Sequence, residues 1–79
     1  MEPTLKKSIL EYVIGKRKTL EISGPPRLIA TLWEAAESCR SLLHTLRQSS
    51  EPERVREAME RRQVAAKRWK DLTGEDWDI

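Results

Sequence analysis

Residues 26–73 read PRLIATLWEAAESCRSLLHTLRQSSEPERVREAMERRQVAAKRWKDLT, and this stretch decides the fold. Leu28, Leu32, Ala35, Cys39, Leu42 and Leu46 recur at alternating steps of four and three. That is the a/d seam of a helix that packs lengthwise on another helix. Beyond Ser49-Ser50, Val55, Ala58, Ala65, Trp69 and Leu72 fall on a matching seam, with Arg62 as the polar intruder. Two arms with so short a link are antiparallel neighbours. The expected fold is therefore all-α: an antiparallel helical hairpin over about 26–48 and 51–73, with a short N-terminal helix and self-association.

The ends of the arms carry start and stop chemistry. Pro25 and Pro26 bar the residues before them from helical geometry, and Pro26 can itself begin a helix. Ser50-Glu51-Pro52-Glu53 is a capping-box start, with Ser50 as the cap and Pro52 tolerated in the first turn. Gly74 suits the position after the last turn. Folding about Ser50 sets Leu46 near Val55, Cys39 near Arg62, Ala35 near Ala65 and Leu32 near Trp69. The alanines at mid-arm leave either a close helix approach or a gap for another element.

Residues 1–25 form an N-terminal segment. Leu5, Ile9 and Val13 with Leu10 and Ile14 make a helical stripe over 3–14, with Thr4 as N-cap and Gly15 just past the end. The alternative is α+β, with an N-terminal β-hairpin over 8–23, because Leu10, Tyr12 and Ile14 alternate and so do Leu20 and Ile22. Ile9 and Val13 fall on the wrong face of such a strand, which favours the helix. Residues 74–79, GEDWDI, are an acidic tail that also carries Trp77 and Ile79. Three readings fit it: folding back on the bundle, binding a partner, or disorder.

Composition bounds the chemistry. The chain has 79 residues, 15 Lys+Arg, 13 Asp+Glu, one cysteine and no Phe. One domain fits this length. A single cysteine excludes an internal disulfide and supplies no zinc-ligand pattern. A small fold without staples needs unusually good packing or self-association. No stretch reaches the roughly 18 apolar residues of a membrane span, and no signal-peptide pattern opens the chain. The expectation is a soluble, intracellular, cytoplasmic protein with no membrane partner.

Enzyme chemistry finds little support. His44 lies on the outer face of the first arm and Cys39 in the seam, so the two do not make a nucleophile–base pair. Glu34 and Glu37 have no further acid beside them, and the glycines are isolated rather than grouped in a phosphate loop. We expect no catalytic residue, no cofactor, no metal and no small-molecule substrate.

Two surfaces remain. Ile29, Trp33, Ala36 and Leu43 widen the apolar face of the first arm, and Met59, Val64 and Ala66 that of the second. A two-helix object cannot cover them all; Ile29, Trp33, Ala36, Leu43 and Met59, with Trp69 of the seam, are the candidate protein interface. Arg54, Arg61 and Arg68 are seven apart and form one stripe with a repeat of roughly 10 Å. With Lys16, Arg17 and Lys18 they are the candidate phosphate contacts. Glu57, placed three and four residues from Arg54 and Arg61, favours an ordinary solvated face instead. Arg62 either keeps its head in water over an apolar stem or pairs with a carboxylate across an interface.

No motif ties the chain to a family. In shape alone the hairpin is similar to small dimeric hairpins among plasmid copy-control RNA binders, nodaviral silencing suppressors and secretion co-chaperones. Those proteins differ in function, so the shape assigns none. The expected function is a non-enzymatic protein-interaction module, such as an adaptor, inhibitor, chaperone or assembly factor, acting as a homodimer or on a protein partner. The alternative is a dimeric binder of RNA or DNA that uses the basic stripe.

Overall fold

The computed structural model describes residues 1–48 and 51–79. The order is α1 (Pro3–Val13), α2 (Pro26–Gln48) and α3 (Pro52–Thr73). Among the described residues there is no strand, so the β-hairpin alternative for residues 8–23 is overturned. The periodic burial of Ile9, Tyr12 and Val13 explains this: residues three and four apart share a face only on a helix.

Local chemistry sets each boundary. Glu2, not Thr4, caps α1: its carboxylate accepts the N–H of Thr4 at 3.0 Å and of Leu5 at 3.3 Å. The cap lies earlier than Thr4 because Pro3 is already helical, in the first turn where its missing N–H is not needed. α1 ends at Gly15, whose φ of +91° lets Lys16 N–H reach back to Glu11 O at 2.8 Å. α2 begins at Pro26, as the double proline requires. Glu51 stands at the N-cap position of α3 and Pro52 follows it. The cap expected from Ser50 lies outside the described residues. α3 stops at Gly74, in the left-handed region at φ +78°.

α2 and α3 run antiparallel. Glu34, early in α2, pairs with Arg68, late in α3. Ser41 and Thr45, late in α2, border one cleft with Arg54 and Ala58, early in α3. The seam is closed in its middle, where Leu32, Ala35, Cys39, Ala58, Ala65 and Trp69 are buried. It opens toward its ends: Leu46 is 55% exposed and Leu72 37%.

α1 packs on α2 and makes no comparable contact with α3. Tyr12 meets Trp33 edge-on, with ring centroids 5.4 Å apart. Its hydroxyl donates to Glu37, and the Arg40 guanidinium lies 4.6 Å above its ring. Burial, reinforced by the Glu37 carboxylate, raises the Tyr12 pKa. The connection over 14–25 has no regular element, yet Leu20 is buried against the same core.

The tail folds back on all three helices. Trp77 is buried beside Trp69, with centroids 5.5 Å apart. Its Nε1–H donates to Cys39 Sγ at 3.2 Å. Asp78 pairs with Lys6 of α1 and Asp76 with Lys70 of α3, both at 2.8 Å. Exposed pairs of this kind are each worth about 0–1 kcal/mol, whereas a buried indole covers roughly 150–250 Å². Trp77 is therefore what holds the tail. The alanines at mid-hairpin leave room that Ile9, Tyr12 and Trp77 join in filling, within one core.

Candidate interaction site

The hairpin has two long grooves, and they differ in chemistry. The first is bordered by Arg27 and Thr31 with Arg68, Asp71 and Leu72 at one end. At its other end it is bordered by Ser41 and Thr45 with Arg54, Glu57 and Arg61. Arg54 and Arg61 thus line one hollow and Arg68 another, on the one helix face that the spacing of seven requires. Two of the groove's four arginines are paired within the chain. Arg68 pairs with Glu34, and Arg54 Nε lies 3.3 Å from Glu51. Arg61 makes no ion pair among the described residues, but Glu57 borders the same cleft. Lys16, Arg17 and Lys18 are exposed in the turn after α1, and Arg17 lies 3.6 Å from Glu11. The groove is zwitterionic rather than basic.

The second groove lies on the side that carries α1 and the tail. α1 and the tail fill its proximal stretch around Trp69, and the distal stretch is open. A hollow of about 180 Å³ there is lined by Val13, Cys39, Leu42, Leu43, Leu46, Arg62 and Ile79. It continues over Leu42 and Ile79 to Met59 and Gln63, in a further 220 Å³ or so. Past Val13 and Leu43 it reaches Ile14, Arg40, His44 and Arg47. Leu46, Met59 and Ile14 are 55%, 49% and 42% exposed along this path.

The expected interface residues divide between the two stretches. Leu43 and Met59 line the open groove. Ala36 and Trp69 are buried in the core, so neither offers surface to a partner. Trp33 is half-buried in the packing of α1 on α2, and Ile29 is half-buried on α2. Leu42 and Leu46 read from the sequence as seam positions; here they line the groove. A seam residue near a hairpin tip faces its partner helix obliquely, and their place next to the break was the available signal.

Arg62 follows neither expected course. It is half-buried at the junction of tail and open groove, and its Nη2 donates to the main-chain oxygen of Ile79 at 3.0 Å. Cys39 is buried under Trp77, while His44 is exposed on the groove rim. Among the described residues no group of His, Cys, Asp and Glu side chains is placed to hold a metal ion. None of the described helices is long and apolar enough to cross a membrane. No protein-family model matches this chain, and neither a curated protein nor a solved structure matches it.

Proposed function

We propose that this chain is a non-enzymatic interaction module that binds a protein partner through the distal groove between α2 and α3. One observation carries the reading. Of the six large apolar side chains left exposed, Ile14, Leu46 and Met59 lie along one run of adjoining hollows with Leu42 and Leu43, whereas Leu10, Val64 and Leu72 stand apart from it. A concave apolar surface on two rigid helices suits a protein segment, and aliphatic side chains in such a groove act as its anchoring pockets. Leu43 and Met59, two of the residues expected to drive self-association, line this same groove, so a second copy of the chain is the competing occupant.

The nucleic-acid alternative has less support, because Arg54 and Arg68 face carboxylates of their own chain. Phosphate binding would require those pairs to open first. A photo-crosslinking amino acid at position 46 or 61, in cells that produce the protein, tests the two readings against each other. The expected outcome is a crosslink to protein from position 46 and none to nucleic acid from position 61. Nucleic acid captured from 61, with nothing captured from 46, overturns the proposal.

A further inference from the structure

Resting on the interaction reading above, the geometry points to the class of partner: we infer that the distal groove takes an acidic amphipathic helix, with apolar residues on one face and Asp or Glu flanking them. Three observations lead there. The first is the rim. Arg40, Arg47 and Arg62 border the hollow, His44 stands beside them, and no Asp or Glu is among the residues lining it. The opposite groove, by contrast, has Glu57 and Asp71 among its lining residues. A partner segment bearing Lys or Arg would meet like charge along the hollow, whereas carboxylates would be drawn in and oriented.

The second observation is what already occupies the adjoining stretch. The tail Asp76-Trp77-Asp78-Ile79 is itself an acidic, apolar segment. Its indole enters the core while Asp76 and Asp78 reach Lys70 and Lys6 on either side. Ile79 borders the open hollow, so the tail and the empty stretch form one continuous channel. The same pattern of apolar centre and cationic flanks is found in the hollow beside Ile79. Arg62 marks the junction. It gives one donor to Ile79, and a guanidinium carries five, so it can also receive a partner carboxylate.

The third observation concerns shape. Among the described residues there is no strand, so strand addition is not open to the partner. The part of α2 beyond the buried Cys39 and the stacked Arg40, residues 42 to 48, spans about 10 Å, roughly two turns of a helix laid along it. Two exposed ridges, Leu46 on α2 and Met59 on α3, stand on either side of the hollow for a helix to lie between.

The test is a display selection of helical 14-residue peptides, randomised at all positions, against the immobilised full chain. The expected result is enrichment of peptides with net negative charge and apolar residues at i, i+3 or i+4, and i+7. Their affinity should fall at least about tenfold with Leu46→Glu, which places a charge in an apolar pocket. It should fall several-fold with Arg47→Glu, and the loss should shrink as salt is raised. Leu46 and Arg47 are exposed, so both variants should keep the wild-type circular dichroism. Neutral or basic peptides that still depend on Leu46 overturn the acidic partner and leave the interaction reading standing. A homodimer by light scattering that Leu46→Glu dissolves assigns the groove to a second copy and overturns the inference. No peptide preferring wild type over Leu46→Glu, with the chain monomeric, overturns both readings.

Discussion

The stretch of the hairpin around Trp69 and the end that carries Leu46 share one heptad spacing yet reach different fates. In the closed stretch Leu32, Ala35, Ala65 and Trp69 are sealed by α1 and by Trp77, and of the seam only Leu72 beyond them is exposed. At the open end Leu46 continues the same seam and is 55% exposed. The difference does not lie in the arms. It arises because α1 has 11 residues against 23 in α2 and cannot cover the full length of the seam. A seam pattern states which residues one helix can bury, and the supply of covering elements decides which of them it does.

The largest effect should come from removing the cover. Trp77→Ala should cost about 3–5 kcal/mol, the usual range for truncating a buried large aromatic. Leu46→Ala at the open end should change stability by no more than about 0.5 kcal/mol, as exposed substitutions do. Urea denaturation of both variants checks the contrast. Equal midpoints would mean that the tail does not seal the closed end.

A second test concerns Gly74, the hinge that turns the tail back. Its φ is +78°, and a Cβ there would meet nothing within 4 Å. The cost of Gly74→Ala is therefore conformational alone, about 1–2 kcal/mol. A loss well above this, read from the same denaturation curves, would show that the turn carries contacts as well as backbone freedom.

The two indoles of the closed end can be separated more finely. Trp77 N–H donates to Cys39, while the buried N–H of Trp69 has no partner among the described residues. Replacing either by Phe removes similar apolar volume. Trp69→Phe also removes an unsatisfied buried donor, which costs about 1–3 kcal/mol to keep. Trp69→Phe should thus be the milder change by on the order of 1 kcal/mol. The reverse order would mean that the Trp69 N–H is satisfied in solution.

The smallest effect is expected from pH. The hydrogen bond from Lys6 lowers the Asp78 pKa, so its contribution is present above the ordinary carboxylate range and is lost as the pH falls through the lowered value. Asp76 raises the Lys70 pKa, so that contribution is present below the ordinary lysine range and is lost as the pH rises through the raised value. The tail clamp is therefore complete across neutral pH and loosens at both extremes. The fluorine shift of 5-fluorotryptophan at position 77 should stay flat in the middle and drift only slightly toward the exposed value at either end. A full transition at acid pH, with the helices intact, would give the ion pairs rather than Trp77 the main part in holding the tail.

The arms, their antiparallel order and both glycine stops were legible in the residues. They depend on spacings of three and four and on single residues with special backbone behaviour. Thr4 was a reasonable but incorrect cap, since Glu2 sits where its longer side chain reaches the same free N–H groups. Of the candidate interface, Leu43 and Met59 were legible as apolar residues off the seam. Leu46 read as a covered seam position, and only its place next to the break sets it apart from Leu32 or Ala35.

The sequence by itself determined that two long helices must pair and where each begins and ends, because helical hydrogen bonding and side-chain periodicity act over a few residues. Only the tertiary structure decided that the acidic tail seals one end and leaves the other open. The bond from Trp77 to Cys39 joins positions 38 residues apart, and the pair of Asp78 with Lys6 joins positions 72 apart. Contacts at such separations follow from how the elements fill space together, and no local spacing encodes them.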